Sequence, residues 1–397
     1  MVSQQKIAIV TTGRADYGLL KPLWDKLASS TVHSLTMIAT GAHLVKPHLT
    51  VEQIEKDQIA PLLTVDLKLT GDNEEAICLG ISEGIVGFSR IFSHQNFDLL
   101  IVLGDRYELL SVCTAALVYK IPIAHLHGGE LTEGAVDDAI RHCVTKMSAL
   151  HFVAHDSYRK RVIQLGEAPD RVFNVGAIGL DNFSAVEPIS KKQLTGLTGL
   201  DFDKTVLLVT FHPETLETEL SVNQQVDELF VALNALAYPV LATFSNTDTG
   251  GETVRIRFQQ LAEQFPGRFC LINTLGISGY MAAMTFCSVM VGNSSSGILE
   301  AASFKLPVVN IGDRQKGRIR AANVLDVACR SSDIEQAVNR ALSNEFSKAL
   351  ENLKNPFGDG HAVQKIVPLL DDFLAKGSKK LLKKQFYDVP FSVEKMD

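Results

Sequence analysis

The sequence predicts an α/β protein made of two doubly wound domains, each with a parallel sheet covered by helices on both faces. The chain has 397 residues, more than the roughly 100–200 residues of one ordinary domain. Short apolar runs rich in β-branched residues alternate with segments of helical periodicity, which is typical of parallel sheets. This alternation occurs twice, in two sets separated by a polar stretch.

The first set predicts a domain over residues 1–186. Its predicted strands, in chain order, are KIAIVTT from Lys6, HSLTMIAT from His33, FDLLIVLGD from Phe97, IPIAHLHGG from Ile121 and ALHFVAH from Ala149. Each run is followed by a polar turn and then by a segment with helical spacing of its apolar residues, as parallel strands joined by helices require.

The second set predicts a domain over residues 205–375. Its predicted strands are KTVLLVTFHPE from Lys204, YPVLATFSN from Tyr238, RFCLINT from Arg268, CSVMVGNS from Cys287 and LPVVNIGD from Leu306. Residues 187–204 are polar and lack clear periodicity, which predicts a linker. Residues 376–397 are predicted as a C-terminal tail whose lysine-rich helix packs back on the first domain, with membrane or nucleic-acid contact as the alternative.

The composition indicates a soluble cytoplasmic protein. Hydrophobic residues make up 46% and charged residues 21% of the chain, near the averages for globular proteins. A formal net charge of −7 argues against nucleic acid as a partner. The six cysteines lie apart without a C-x-x-C pair, and we expect neither a signal peptide nor an apolar run near the ~18 residues of a membrane span.

Charged clusters follow directly after many of the predicted strands. They are TTGRADYG, LGDRYE, HLHGGE, FHPET, FSNTDTGG, GNSSSG and IGDRQKGR. Ordinary loops would contain mainly Ser, Asn, Gly and Lys, whereas these are rich in Arg, Asp, Glu and His. Ligands of open α/β sheets bind at the carboxyl ends of the strands. We therefore expect the active site in the cleft between the two domains.

The segment MVGNSSSGILEA predicts a phosphate site, because small residues at a strand-to-helix turn expose backbone N–H groups at a helix N-terminus. An ordinary turn with an N-cap serine is the alternative. If Ser295 or Ser296 is the N-cap, Glu300 lies beyond the capping-box position and could reach ribose hydroxyls, unless it is simply solvated. The candidate nucleotide-binding residues here are Ser294, Ser295, Ser296, Gly297 and Glu300.

Two further cationic turns favour an anionic ligand. Arg314 lies in GDRQKGRIR with several other cations, and Arg14 follows the first strand. Arginine binds two oxygens of a phosphate at once. The chain lacks a G-x-G-x-x-G fingerprint, so nicotinamide and flavin cofactors have little support.

Four carboxylates of the first domain are candidate acids and bases. Asp105 and Glu130 end two strands, and Asp137 and Asp138 begin a helical run. Carboxylates in different surroundings can divide proton removal from proton donation. An N-cap role is the alternative for Asp137 and Asp138.

Histidines add one candidate for the site and one alternative. His212 begins the second domain and could face the carboxylates across the cleft. His125 and His127 form an H-x-H pair that could bind a metal, although paired histidines on strands are often core residues. We expect no metal.

The ordered motifs TGRADYGLL, VLGDRYE, HGGE, DDAIRHCVTKMS, RVIQLGE, FHPETL, NTDTGG, GNSSSG and NIGDRQKGR cover nearly the whole chain. Together they resemble the hydrolysing UDP-N-acetylglucosamine 2-epimerases of bacterial sialic-acid biosynthesis. The resemblance implies a GT-B fold with two Rossmann-like domains. It also implies conversion of UDP-N-acetylglucosamine and water to N-acetylmannosamine and UDP, through elimination to 2-acetamidoglucal and hydration, without a metal, nicotinamide or flavin.

The resemblance also implies roles for individual residues. The catalytic positions match Asp105, Glu130, Asp137 or Asp138, and His212, with Asp137 favoured over Asp138. Arg14, the three serines, Glu300 and Arg314 match nucleotide-binding positions, with Glu300 on the ribose and His212 assisting the departing phosphate.

The resemblance implies a homodimer or homotetramer but leaves the substrate open. Related enzymes act on UDP- or GDP-linked 2,4-diacetamido sugars of the legionaminic-acid route, and the sequence does not distinguish uracil from guanine. A GT-B glycosyltransferase, a metal-dependent hydrolase and a nucleotide-sugar sensor are further alternatives.

Overall fold

A computed structural model describes residues 4–45, 50–71, 73–132, 136–212, 214, 220–243, 251–272 and 275–390. The chain divides into two compact units. The first comprises Met1–Glu130, Ala135–Asn182 and Gly360–Asp397, and the second comprises Leu131–Gly134 and Phe183–Asp359.

Within the described residues each unit has one parallel sheet. The strands of the first are β1 (Gln5–Thr11), β2 (His33–Thr40), β3 (Leu62–Val65), β4 (Leu99–Leu103), β5 (Ile123–Leu126), β6 (Leu150–Val153) and β7 (Val172–Asn174). Those of the second are β8 (Leu207–Thr210), β9 (Val240–Thr243), β10 (Phe269–Ile272), β11 (Val289–Gly292), β12 (Val308–Ile311) and β13 (Val324–Val327). The spatial orders are β3-β2-β1-β4-β5-β6-β7 and β10-β9-β8-β11-β12-β13.

Helices connect these strands. They are α1 (Arg14–Ala28), α2 (Val51–Asp57), α3 (Glu74–His94), α4 (Glu108–Val118), α5 (Val136–Met147), α6 (Asp156–Gln164), α7 (Asp181–Ala185), α8 (Lys191–Thr198), α9 (Val222–Leu236), α10 (Gly251–Gln264), α11 (Gly276–Phe286), α12 (Ser295–Leu299), α13 (Ser331–Ala341), α14 (Asn344–Ala349), α15 (Ala362–Ala375) and α16 (Ser378–Leu381).

Each sheet buries a separate apolar cluster on each face, because successive strand residues point to opposite sides. In the first unit, Ile9 lies in one cluster with Trp24 of α1, whereas its neighbour Val10 lies in another with Phe88 of α3. In the second unit the adjacent residues Leu207 and Leu208 divide in the same way. Both sheets are therefore doubly wound, as predicted.

All ten predicted strands are present, and the sequence reading missed β3, β7 and β13. These three lie at sheet edges, where strands are short and partly exposed. Their apolar signal is correspondingly weak: β13, for example, is VLDV and has no fully buried residue.

The two units differ from the predicted domains, and two of the differences involve whole helices. The predicted linker 187–204 contains α8, whose N-cap Ser190 forms a capping box with Gln193. Helix α15 belongs with the first unit rather than the second, because Ile366 and Leu370 pack in the cluster that covers β1. Its first backbone N–H groups donate to Asp181 of the first unit.

Among the described residues, helix α3 is the one helix long and apolar enough to cross a membrane, judged by length and composition alone. Its buried residues Gly84, Phe88 and Phe92 pack inside the first unit. A core helix of this kind passes the same length test, so the segment is weak evidence for a membrane span.

Candidate active site

The strand order places the predicted site residues at the topological switch point of each sheet. In the first sheet β1 and β4 are neighbours, and in the second β8 and β11 are neighbours. The connections from such a central pair lead to opposite sides and leave a crevice at the carboxyl ends of the strands. Asp105 follows β4, His212 follows β8 and Ser294 follows β11.

Three of the predicted carboxylate residues meet at one buried guanidinium, that of Arg141 on α5. Its side chain is 2% exposed and forms an ion pair with Asp105. Its Nη1 lies 3.4 Å from Oδ1 of Asp138 and donates to the backbone carbonyl of Glu130 at 3.0 Å. The sequence analysis gave Arg141 no role, although its spacing of three residues from Asp138 places both on one helix face.

Asp138, rather than the favoured Asp137, belongs to this cluster. The Asp138 carboxylate lies between Arg141 and His142, whose Nε2 is 3.5 Å from Oδ2 of Asp138. Burial lowers the pKa of the His142 imidazole, and the charge of Asp138 opposes that shift. Asp137 is exposed, because consecutive helix residues point about 100° apart.

The Glu130 carboxylate is held by a histidine. Its side chain is 4% exposed, and Oε1 lies 2.7 Å from Nδ1 of His127. The backbone N–H of Ile178 donates to Nε2 of His127 at 3.4 Å. With Nε2 accepting from Ile178, Nδ1 is the ring nitrogen that donates to Glu130.

His125 is a core residue. Burial lowers its pKa to about 3, so it is neutral. Its Nε2 donates to the carbonyl of Gly104 at 2.8 Å, and its Nδ1 lies 3.2 Å from the hydroxyl of Thr145. The described residues contain no group of three His, Cys, Asp or Glu side chains that could hold a metal ion, so the H-x-H pair has no third ligand there.

A second charged cluster, partly buried, lies after β1 and β4. Glu108 is fully buried and bonds Arg106 at 3.0 Å. Burial opposes the charge of Arg106, but the attraction of Glu108 outweighs it and raises the pKa of the guanidinium. Asp16, whose pKa burial raises, accepts hydrogen bonds from the hydroxyl and backbone N–H of Thr12. Arg14 is exposed at the start of α1.

Asn293 organises the switch point of the second unit. Its side chain exchanges two hydrogen bonds with the backbone of His212, each of 2.8 Å. The backbone carbonyl of Asn293 accepts hydrogen bonds from Nη1 of Arg314 at 3.1 Å and from the side chain of Gln315 at 2.9 Å. The predicted residues His212 and Arg314 therefore converge on one buried asparagine, which the sequence analysis did not single out.

Close backbone approach also requires a glycine at this point. Gly292 ends β11 with φ of 138°, and a Cβ there would lie 2.0 Å from the carbonyl oxygen of Thr210. The turn that carries the serines can therefore follow β11 only with glycine at this position.

The serine turn differs in detail from its prediction. Ser294, not Ser295 or Ser296, is the N-cap, and its hydroxyl accepts from the backbone N–H of Ser296 at 3.3 Å. Helix α12 has five residues, so its dipole contributes less to anion binding than a full helix would. Gly297 is buried, and a Cβ there would lie 3.0 Å from Val308.

Glu300 is not a solvated helix-end residue. Burial raises the pKa of its carboxyl group, and its Oε2 accepts a hydrogen bond from the hydroxyl of Ser296. That hydroxyl in turn accepts from the hydroxyl of Tyr280 at 2.9 Å. The Ser296 hydroxyl proton is thus directed at Glu300 rather than outward.

Comparisons with known proteins agree with this architecture. The family model described as UDP-N-acetylglucosamine 2-epimerase matches residues 25–371. The chain is 35% identical over 389 residues to the polysialic acid biosynthesis protein P7 of Escherichia coli, covering 97% of this chain and 98% of that protein. It is 38% identical over 349 residues to the GDP/UDP-N,N'-diacetylbacillosamine 2-epimerase (hydrolyzing) of Campylobacter jejuni, covering 87% and 90%.

A solved structure supports the fold. The S. aureus MnaA–UDP co-structure aligns with a TM-score of 0.75 at 18% identity and covers 98% of this chain and 100% of that chain. The predicted α/β class, with two doubly wound domains of the GT-B type, is confirmed.

Proposed function

Because the chain belongs to the UDP-N-acetylglucosamine 2-epimerase family, we propose that it is a hydrolysing 2-epimerase. It converts UDP-N-acetylglucosamine and water to N-acetylmannosamine and UDP, as a step of sialic-acid biosynthesis. The relationship to the polysialic acid biosynthesis protein supports that pathway.

The observation that carries the proposal is the convergence of Asp105, Glu130 and Asp138 around Arg141. A sugar C2 proton is weakly acidic, so its removal needs a positioned base and a stabilised leaving group. Glu130 beside the His127 imidazole and Asp105 beside a guanidinium have different surroundings. This difference is what allows one carboxylate to accept a proton while another supplies one.

The reaction proceeds in two steps. A carboxylate takes the C2 proton while the bond between C1 and the diphosphate oxygen breaks, which gives 2-acetamidoglucal and UDP. Water then adds its oxygen at C1, and a proton reaches C2 from the opposite face, which inverts that centre. His212 supports the departing phosphate, since charge develops there as the bond breaks.

The second unit supplies the nucleotide contacts in this proposal. Arg314 and the backbone of the serine turn bind the diphosphate, because a guanidinium can bond two of its oxygens. Ser294 and Ser295 lie at the turn itself. Glu300 accepts hydrogen bonds from the ribose, and Arg14 contributes positive charge from the first unit.

A second candidate substrate is a UDP- or GDP-linked 2,4-diacetamido-2,4,6-trideoxyglucose. The Campylobacter relative, at 38% identity, is named as an epimerase of such a compound. The same carboxylates and the same two steps would serve, because the reacting atoms C1 and C2 are alike in both sugars.

Proton NMR of the purified protein with UDP-N-acetylglucosamine in deuterated water tests the proposal. We expect free N-acetylmannosamine with deuterium at C2, together with released UDP. UDP-N-acetylmannosamine without free sugar would instead make the enzyme a non-hydrolysing epimerase. Turnover only of a UDP- or GDP-linked diacetamido sugar would overturn the first candidate in favour of the second.

A further inference from the structure

A directed chain of hydrogen bonds runs through the second unit from Tyr280 on α11 to Glu300. The hydroxyl of Tyr280 donates to Oγ of Ser296 at 2.9 Å. Ser296 donates its own hydroxyl proton to Oε2 of Glu300. The two bonds therefore run in one direction, from Tyr280 through Ser296 to Glu300.

Packing alone does not explain the hydroxyl of Tyr280. The ring packs against an apolar cluster that includes Leu208 and Met290, where phenylalanine would fill the same volume. A buried hydroxyl in such surroundings costs free energy unless it is hydrogen-bonded. The hydrogen bonds of this hydroxyl, to Ser296 and to the side chain of Thr210, therefore distinguish tyrosine from phenylalanine here.

The chain of hydrogen bonds also limits which partners the Ser296 hydroxyl can bond. Its proton is committed to Glu300, so it is not available as a donor to a diphosphate. The hydrogen bond from Ser296 occupies Oε2 of Glu300, so that Oε1 can accept hydrogen bonds from a ligand. A carboxylate held at one oxygen keeps one rotamer, which lowers the entropic cost of binding at the other.

We propose that Tyr280 is a positioning residue that acts through Ser296 to hold Glu300 for the ribose hydroxyls, so that the site selects ribonucleotides over 2′-deoxyribonucleotides. This inference rests on the nucleotide-binding part of the proposed function. It does not depend on the reaction at C2.

Binding measurements test it without turnover. The dissociation constants of UDP and 2′-deoxy-UDP are measured by calorimetry for the wild type, Tyr280→Phe, Ser296→Ala and the double variant. We expect the wild type to bind UDP about tenfold more tightly than 2′-deoxy-UDP, since a hydrogen bond to a charged group is lost. In each single variant this ratio falls to about threefold or less.

The double variant separates a relay from two independent effects. If Tyr280 acts only through Ser296, the double variant has the same ratio as Ser296→Ala. A further drop would contradict the relay. Tyr238→Phe, a half-buried tyrosine of the same unit, is the matched control and should keep the wild-type ratio.

Other outcomes overturn the inference. A merely structural role for Tyr280 would weaken UDP and 2′-deoxy-UDP equally and leave the ratio unchanged. A wild type that does not distinguish the two nucleotides would show that Glu300 does not contact the 2′-hydroxyl. If the protein prefers GDP, the same comparison is made with GDP and 2′-deoxy-GDP.

The inference and the proposed function can fail separately. Discrimination at the ribose without any sugar product would overturn the proposed reaction and leave the inference standing. Sugar product with an unchanged ratio in Tyr280→Phe would do the reverse. If neither UDP nor GDP binds, both fall.

Discussion

Of the three acidic residues that contact Arg141, Glu130 has the most enclosed side chain, 4% exposed against 24% for Asp105 and 28% for Asp138, and it contacts Arg141 through its backbone carbonyl. Its partner His127 is fixed as a donor by Ile178. We expect Glu130→Gln to lower kcat by about 10³-fold, since general acid–base groups contribute roughly 10²–10⁴-fold. The rate of N-acetylmannosamine formation measures this effect.

Two comparisons make the Glu130 result specific. UDP affinity should stay near the wild-type value, because the amide keeps the shape of the side chain. Glu55→Gln, at an exposed position of α2, should leave the rate unchanged. A Glu130→Gln variant that retains most of its activity would remove Glu130 from the chemistry.

The neighbouring aspartates give a matched pair of variants on one helix. Asp138 contacts Arg141 and His142, whereas Asp137 is exposed. We therefore expect Asp138→Asn to lower kcat at least about 100-fold and Asp137→Asn to change it less than about threefold. Steady-state rates under the same conditions compare them. The reverse order would make Asp137 the catalytic residue.

The residue types that follow the strands could be predicted from the sequence, but the residues that they contact in the fold could not. Asp105, Glu130 and His212 stand out because charged residues are uncommon directly after buried strands. Arg141 and Asn293 gain their roles from contacts across 36 and 81 positions of the chain, and a sequence pattern does not show such contacts. The sequence also does not show which of Asp137 and Asp138 faces Arg141, because that depends on the direction of the helix face.

At the level of elements, the segment after α15 is held in the first unit by an ion pair with a buried glutamate and by hydrogen bonds from an arginine. Lys384 bonds Glu167 at 2.8 Å, and Arg171 donates to the backbone carbonyls of Leu381 and Lys383. Burial acts to raise the pKa of Glu167, but hydrogen bonds from His151 and two lysines outweigh burial and hold it at about 2. Glu167 is therefore ionised in the folded protein down to low pH.

This lowered pKa predicts a pH-dependent stability. An unfolded glutamate titrates near pH ~4.3, so the stabilisation from Glu167 is complete above that pH and is lost as the pH falls toward about 2. Urea unfolding of the wild type and Glu167→Gln should show a difference in unfolding free energy that narrows by about 3 kcal/mol between pH 6 and pH 2.

An exposed ion pair supplies the control for this effect. Glu83 bonds Lys68 at 2.6 Å on the surface, where solvent screens the interaction. The difference between wild type and Glu83→Gln should therefore change far less with pH. A difference for Glu167→Gln that stays constant over the same range would contradict the lowered pKa.

Secondary-structure elements that could be predicted from the sequence are more buried than those that could not. Central strands such as β4 and β8 are buried throughout and give continuous apolar runs. The edge strand β13 does not. Helix α8 was missed although its start carries the signal S-x-x-Q of a capping box, because its eight residues contain one buried side chain, Leu194.

At the level of the whole molecule, the proposed function assigns different parts of the chemistry to the two units. The first holds the carboxylates around Arg141, and the second holds the serine turn, Glu300 and Arg314. If the second unit provides most of the nucleotide affinity, changes there should weaken UDP binding, whereas Glu130→Gln in the first should lower the rate and leave binding unchanged.

Arg314→Gln tests this division. Loss of a charge-assisted contact to phosphate should weaken UDP binding by about 10–100-fold, measured by calorimetry. Because Arg314 also donates to the carbonyl of Asn293, a thermal unfolding curve must show that the variant is folded. Arg340→Gln, at an exposed position of α13 in the same unit, should bind UDP as the wild type does. If Arg314→Gln binds UDP within about twofold of the wild-type affinity, the diphosphate binds elsewhere. If Glu130→Gln loses as much UDP affinity as Arg314→Gln does, nucleotide binding depends equally on the carboxylate cluster.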